Sequence, residues 1–256
     1  MLYSTSTGNG QTIVLIHGMS QSTKVWKKLI LEPTLSSYKL FSIDLPGHGN
    51  SFRSTDPDHD YTLIGMASHI KESLTSLLED YIVVTNSLAG NLVAEHILEL
   101  PKCKGIFLTG TSIVGSPFTL SEIAKPNPYF GVTFNSNPTE EELEGLMNTL
   151  VVEKSSIEEL KQMFRATDPV VRTEIGKAIS NAAWTDEVSK LEQVQYPVAV
   201  VFGKDEEVIF PDYLSRSKIK LWKKNIIKIK EAGHCCQLDQ PEILAKLIDQ
   251  YASDVF

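Results

Sequence analysis

Positive charge is in short supply in this chain: 24 Lys and Arg stand against 32 Asp and Glu, for a net charge of −8. A general nucleic-acid binder carries a basic footprint, so that class is excluded. The one basic stretch, Arg216 to Lys230, interleaves its lysines with apolar residues and reads as the solvated face of buried elements. Cysteine is scarce as well. Cys103, Cys235 and Cys236 are too few and too badly spaced for a disulfide framework or a zinc site, and adjacent cysteines rarely bridge each other, so reduced thiols are expected. No apolar run approaches the roughly 18 residues of a membrane span. The first residues, Met1-Leu2-Tyr3-Ser4-Thr5, lack the basic and apolar regions of a signal peptide, which gives the expectation of a cytoplasmic protein.

Apolar residues are plentiful. At 42% hydrophobic and 256 residues the chain is long enough to bury a substantial core, and disorder is excluded. Strand and helix patterns alternate through the first half. Leu2 to Ser6 reads as an edge strand. Thr12 to Ile16 is an apolar strand stopping at His17-Gly18, and Lys39 to Ile43 is another, stopping at Asp44 before a Gly- and Pro-rich turn through Ser51. Ser22 to Leu31 has helical spacing, and Thr62 to Leu78 carries Leu63, Met66, Ile70, Leu74 and Leu77 on one stripe. Tyr81 to Thr85 and Gly105 to Thr109 are further strands. The pattern implies a parallel sheet covered on both faces, with ligands beyond the carboxyl ends of its strands.

From about Gly115 to Trp184 the alternation stops, and helix starts are read at Thr119 with Glu122, Asn137-Pro138 with Glu140, Ser155 with Glu158, and Asp168-Pro169. The segment is a helical insertion. Its acidic run Glu140-Glu141-Glu142 suits the positive end of a helix dipole. Its aromatics Phe118, Tyr129, Phe130, Phe134, Phe164 and Trp184 read first as the insertion's own core and second as a pocket lining. The sheet resumes with Val198 to Phe202, which ends at Gly203-Lys204-Asp205-Glu206-Glu207, and Ile226 to Lys230, which ends before His234. A closing helix begins near Pro241.

Ser87 sits where the Tyr81 strand turns straight into a helix carrying Leu88, Leu92 and Val93. Such a corner pushes its side chain out of the sheet's end and leaves helix-start N–H groups unpaired, although a serine there also serves as a plain N-cap. Two acids follow a later strand and a lone histidine follows the next. A serine hydroxyl is a poor nucleophile until a neutral histidine takes its proton, and a carboxylate fixes that histidine's tautomer. Ser112 also ends a strand, but no helix period begins there and Pro117 follows. His17 and His48 lie in turn motifs and are expected to be structural. His59, His69 and His96 show no partner spacing.

These stretches together resemble the α/β-hydrolase fold family. The residues that carry the resemblance are LIHG at Leu15 to Gly18, DLPGHGNS at Asp44 to Ser51, TNSLAG at Thr85 to Gly90, VFGKDE at Val201 to Glu206 and EAGHCCQLDQPE at Glu231 to Glu242, in the family's order and across essentially the whole chain. The resemblance implies an α/β fold, a mostly parallel central sheet with helices on both faces, formed by residues 1–114 and 185–256, with 115–184 as an inserted helical cap. It implies Ser87 as nucleophile, His234 as general base, and Glu206 as the acid with Asp205 the alternative. Backbone N–H groups of Met19 and Leu88 form the implied oxyanion hole. No metal or other cofactor is implied. The elbow departs from the G-x-S-x-G pattern: Thr85 and Ala89 hold the small-residue places, and Asn86 stands where a histidine is common. Thr85, with its branched β-carbon, is expected to crowd the turn.

The expected function is a serine hydrolase that cleaves a small ester or thioester through an acyl-enzyme, with an apolar acyl or alkyl group in the substrate. Carbon–carbon bond hydrolysis uses the same triad. A ligand sensor with little or no turnover is the reading from a different class, motivated by Thr85 and Asn86. The oligomeric state is not legible in the sequence.

Overall fold

The computed structural model describes residues 2–117, 119–181 and 183–256. Among them, one sheet runs in the order β1-β3-β2-β4-β5-β6-β7, with β1 (Ser4–Thr7), β2 (Thr12–Ile16), β3 (Lys39–Ile43), β4 (Tyr81–Asn86), β5 (Cys103–Thr109), β6 (Ala199–Gly203) and β7 (Ile227–Ile229). β1 is antiparallel to β3 and the remaining pairs are parallel. This is the α/β-hydrolase architecture. Helices α1 (Lys27–Ile30), α2 (Pro57–Asp60), α3 (Leu63–Thr75) and α4 (Leu88–Glu95) alternate with the first strands. Between β5 and β6 lie α5 (Leu120–Ile123), α6 (Glu140–Leu150), α7 (Ile157–Ala166), α8 (Pro169–Ser180) and α9 (Glu187–Gln193), and α10 (Cys236–Asp239) and α11 (Pro241–Val255) close the chain.

Successive strand residues point to opposite faces, so each apolar strand feeds two cores. Val14, Ile16, Val83, Ile106 and Leu108 pack with Leu63, Met66, Ile70, Leu74 and Leu92 of α3 and α4. Ile13, Leu15, Ile82, Val84 and Phe107 pack with Leu29, Leu244, Ile248 and Tyr251 of α1 and α11. Both faces are dry, which is why these strands are continuously apolar and not alternating.

The helical insertion differs locally from its sequence reading. Thr139, not Asn137-Pro138, caps α6, because its extended backbone lets its hydroxyl receive the Glu142 N–H while the Glu142 carboxylate receives the Thr139 N–H. A 3-10 turn at Lys154–Ser156 takes the place of the Ser155 cap. Thr119 precedes α5 without a side-chain cap bond. Asp168 does cap α8, and its N–H donates to Gly47 O at 2.8 Å while its carboxylate accepts from the Tyr61 hydroxyl at 2.9 Å. These bonds dock α8 on the loop after β3. The Glu140 carboxylate answers to Lys161 and Arg165 and is thus occupied within the insertion.

The basic stretch places Lys218, Lys220, Lys223, Lys224, Lys228 and Lys230 outward and buries Ile219, Trp222 and Ile229. It contains a 3-10 turn and a short strand, with no α-helix. No helix among the described residues is long and apolar enough to cross a membrane. The three cysteines are buried and free, and burial pushes each thiol's pKa up.

Candidate active site

The sheet directs the candidate residues to one edge. β4 ends at Asn86, and Ser87 takes φ 52° and ψ −125°, a conformation that costs a non-glycine residue of order 1–3 kcal/mol. Its N–H is held by Thr109 O at 2.8 Å, and its carbonyl receives the Gly90 N–H at 3.0 Å. The Ser87 side chain makes no capping bond to α4, so the plain N-cap reading does not hold. Gly18 presses on the corner from the neighbouring strand: a β-carbon there would stand 3.0 Å from Ser87 Cβ and 3.1 Å from Asn86 O. Thr85 is fully buried and leaves the corner intact, but its hydroxyl has no hydrogen-bond partner among the described residues.

Asn86, also fully buried, donates its amide to Thr109 O, Thr109 Oγ1 and His234 O at 3.2–3.3 Å. A histidine in its place would offer at most one donor on that side; the amide's two N–H groups join the corner to the His234 loop.

His234 is 4% exposed and donates Nδ1–H to Glu206, whose Oε2 lies at 2.9 Å and Oε1 at 3.1 Å. Glu206 Oε1 also accepts the N–H groups of Val208 at 2.7 Å and Ile209 at 3.3 Å. The neighbouring Asp205 has an exposed side chain, and its backbone N–H donates to Ala232 O. With Nδ1 committed, His234 lines the same cavity as Ser87, and no hydrogen bond between the two side chains is found among the described residues. Gly110, at φ 56°, lets the imidazole lie close: a β-carbon there would sit 3.1 Å from Nδ1.

The loop after β2 is set by two buried histidines. His17 donates Nδ1–H to Gly18 O at 2.8 Å and accepts the Leu45 N–H at Nε2, at 3.0 Å. His48 donates Nδ1–H to Pro46 O at 2.8 Å and accepts the Ser20 N–H at Nε2, at 3.1 Å. Each therefore needs its neutral tautomer, and burial lowers the pKa of both. The Gly18 N–H goes to Gln21 Oε1. Between these two tied residues, no hydrogen bond from the Met19 N–H is found among the described residues, and the same is true of Leu88 at the first turn of α4. His59 and His69 share the Asp60 carboxylate and His96 reaches Glu99, so these histidines do have acidic partners.

Two residues that the sequence reading missed adjoin the corner. Asn91, one helical turn beyond Ser87, donates its amide to Ser112 O and to Glu187 Oε2, both at 2.8 Å. Glu187 is fully buried, also receives the Val114 N–H, and has its pKa raised to about 8 by burial. The available signal was a polar residue interrupting the apolar helix Leu88-Ala89-Gly90-Asn91-Leu92-Val93.

A cavity of about 110 Å³ joins these parts. Its polar wall includes Ser87, Asn91, Ser112 and His234, and the insertion supplies the apolar wall, including Phe130, Phe134, Leu146, Met147, Phe164 and Trp184. Four of the insertion's aromatics thus line a pocket, while Phe164 is also buried in a core cluster and Phe134 and Trp184 pack against the other, so the two readings hold together; Phe118 lies outside the described residues. No Lys or Arg borders the cavity, and among the described residues no cluster of His, Cys, Asp and Glu is arranged to hold a metal ion. Such a set, a strained hydroxyl, an imidazole bound to a carboxylate and N–H donors without a partner among the described residues on a mostly apolar pocket, is equipped for acyl transfer.

The sequence matches the model of the alpha/beta hydrolase family over residues 13–247. It is 22% identical to the 2-hydroxy-6-oxononadienedioate/2-hydroxy-6-oxononatrienedioate hydrolase of Cupriavidus pinatubonensis, over 96% of this chain and 89% of that one. It is 22% identical to the pimeloyl-[acyl-carrier protein] methyl ester esterase of Nitrosomonas europaea, over 95% and 96%. In structure it is similar to a mutant of the N-acyl homoserine lactonase AidH complexed with N-hexanoyl homoserine lactone, with a TM-score of 0.91, 24% identity and coverage of 99% and 94%.

Proposed function

The chain belongs to the alpha/beta hydrolase family, and from that premise we propose that it is a serine hydrolase cleaving a small carboxylic ester or thioester, cyclic esters included, through an acyl-enzyme. The observation that carries this reading is the His234 imidazole, with Nδ1 bound to Glu206 at 2.9 Å, on the cavity it shares with Ser87. Ser87 Oγ attacks the acyl carbon while His234 Nε2 takes its proton. The negative oxygen that forms is received by the Met19 and Leu88 N–H groups, an arrangement in which one donor is typically worth about 2.7–4 kcal/mol. His234 then returns the proton to the departing alcohol or thiol, and water, activated by the same imidazole, releases the acid. Glu206 holds the tautomer and stabilises the imidazolium.

Residues 115–184 act as the cap that shapes the substrate. The walls of the cavity favour an apolar acyl chain. The same triad would serve carbon–carbon hydrolysis, but the dioate substrate named for the Cupriavidus protein carries two carboxylates. A cavity bordered by no Lys or Arg gives such charges no partner, which favours the ester reading.

A series of p-nitrophenyl esters of graded acyl length tests it. Turnover should favour apolar acyl chains over charged ones of equal length and vanish in Ser87→Ala. Absence of turnover across the series, or equal rates in the variant, would sink the proposal.

A further inference from the structure

Gln21 is 4% exposed and stands two residues after Met19, the proposed oxyanion donor. Its amide orientation is settled by chemistry. The atom facing the Gly18 N–H at 3.1 Å must be the oxygen, because an N–H only donates, and Nε2 therefore faces Cys235 Sγ at 3.3 Å. Cys235 follows His234 in the chain and is fully buried, and its backbone N–H is held by Leu150 O, at the end of α6, at 3.0 Å. With Nε2 donating to the sulfur, the thiol's own proton is directed to Asn86 Oδ1, at 4.0 Å. The Asn86 nitrogen in turn donates to His234 O. A buried chain of donors and acceptors therefore joins the loop after β2, through one amide and one thiol, to the nucleophile corner and the histidine loop.

The end of this chain at Gly18 bears on Met19. The Gly18 carbonyl and the Met19 N–H belong to one planar trans peptide group and point in opposite directions. That carbonyl receives the His17 Nδ1–H at 2.8 Å and the Gln21 N–H at 3.4 Å. Gln21 Oε1 holds the peptide group on the other side of Gly18. A stiffer residue cannot take over this task, since a β-carbon at Gly18 would stand 3.0 Å from Ser87 Cβ. The freedom of a glycine backbone has to be removed by hydrogen bonds instead. Resting on the ester-hydrolase reading above, we infer that Gln21 is a positioning residue: it pins Gly18 so that the Met19 N–H is aimed at the forming oxyanion, and through Cys235 it keeps that donor aligned with His234.

The test compares p-nitrophenyl butyrate with its thiono analogue, in which sulfur replaces the carbonyl oxygen. Sulfur is larger and a weaker acceptor, so donors preset for oxygen favour the oxo ester. Proton transfer through His234, or a loss of folded enzyme, affects both esters alike. The measured quantity is the ratio of their kcat/KM values, oxo over thiono, after subtraction of background hydrolysis. The ratio should fall about tenfold in Gln21→Leu, with KM for the oxo ester within about twofold of wild type, and fall about threefold in Cys235→Ala. Cys235→Ser, whose hydroxyl can still accept from Gln21 and donate to Asn86, should restore it. An unchanged ratio in Gln21→Leu would overturn the role, and so would a rise in KM with the ratio intact, which would make Gln21 a substrate contact. If Gln21→Leu does not fold, Cys235→Ala against Cys235→Ser decides alone. If the wild type turns over neither ester, the hydrolase reading is what has failed. The clamp is then judged by amide hydrogen exchange in whichever of Gln21→Leu and Cys235→Ala folds: faster exchange at the Gly18 N–H, with the β2 amides unchanged, supports it, and equal protection refutes it.

Discussion

The side-chain amide of Asn86 donates to the backbone carbonyl of His234 at 3.2 Å, tying the residue before Ser87 to the histidine proposed to take its proton. The two are 148 positions apart in the chain and meet because β4 and the loop after β7 open on the same sheet edge. Asn86→Leu should therefore misplace the imidazole without touching substrate. We expect kcat to fall about tenfold, equivalent to about 1.4 kcal/mol, with KM nearly unchanged. A rise in KM at constant kcat would mean that the amide serves binding and not alignment.

Glu206 and Asp205 are adjacent, but only the first reaches His234, with both carboxylate oxygens within 3.1 Å of Nδ1. Glu206→Gln should lower kcat by roughly 10³ to 10⁴. Asp205→Asn, on an exposed side chain, should retain wild-type activity. Equal losses in the two variants would contradict a single acid.

Stability should fall toward both acid and alkaline pH. Folded His17 and His48 have lowered pKa values, so below about 6.5 the unfolded chain binds more protons than the folded one. Each then destabilises the fold by up to about 1.4 kcal/mol per pH unit as the pH drops. Glu187 acts in the opposite window: its pKa rises from 4.5 to about 8 on folding, so its contribution is complete below pH 4.5 and is lost as the pH climbs to 8. Urea unfolding should show Glu187→Gln to be more stable than wild type at pH 8, by on the order of 2–4 kcal/mol, with the gain shrinking at pH 5. A gain that is the same at both pH values would contradict a buried, proton-holding Glu187.

Thr85 carries a buried hydroxyl without a partner among the described residues. Thr85→Val keeps the shape and removes that group, so it should raise stability by about 1 kcal/mol in thermal or urea unfolding. Destabilisation would indicate a hydrogen bond to bound water.

The strands were largely legible because burial on both faces leaves continuous apolar runs: Thr12–Ile16 and Lys39–Ile43 have the observed bounds. Helix starts in the insertion were less so, since Thr139 wins the cap from Asn137 by a reciprocal pair with Glu142 that competes with an equally plausible Asn-Pro signal. Ser87, His234 and Glu206 were legible as chemical types at strand ends, and the structure places Glu206, not Asp205, against the histidine. The expected crowding by Thr85 did not deform the corner, as Ser87 still reaches φ 52°. Asn91, Ser112 and Glu187 were not read as a unit because their contacts span up to 96 residues, and no local period reports such a meeting. Which of the insertion's aromatics also face the cavity was not legible for a related reason: a hydrophobic stripe looks the same whether it faces a core or a cavity.

The central claim is that Ser87 is the nucleophile, and its most direct test is peptide mass spectrometry after treatment with a fluorophosphonate. The adduct mass should appear on the peptide containing Ser87, at one per chain, and be absent from Ser87→Ala, while His234→Ala should slow its formation strongly. No adduct, or modification of Ser112 with Ser87 untouched, would contradict the account.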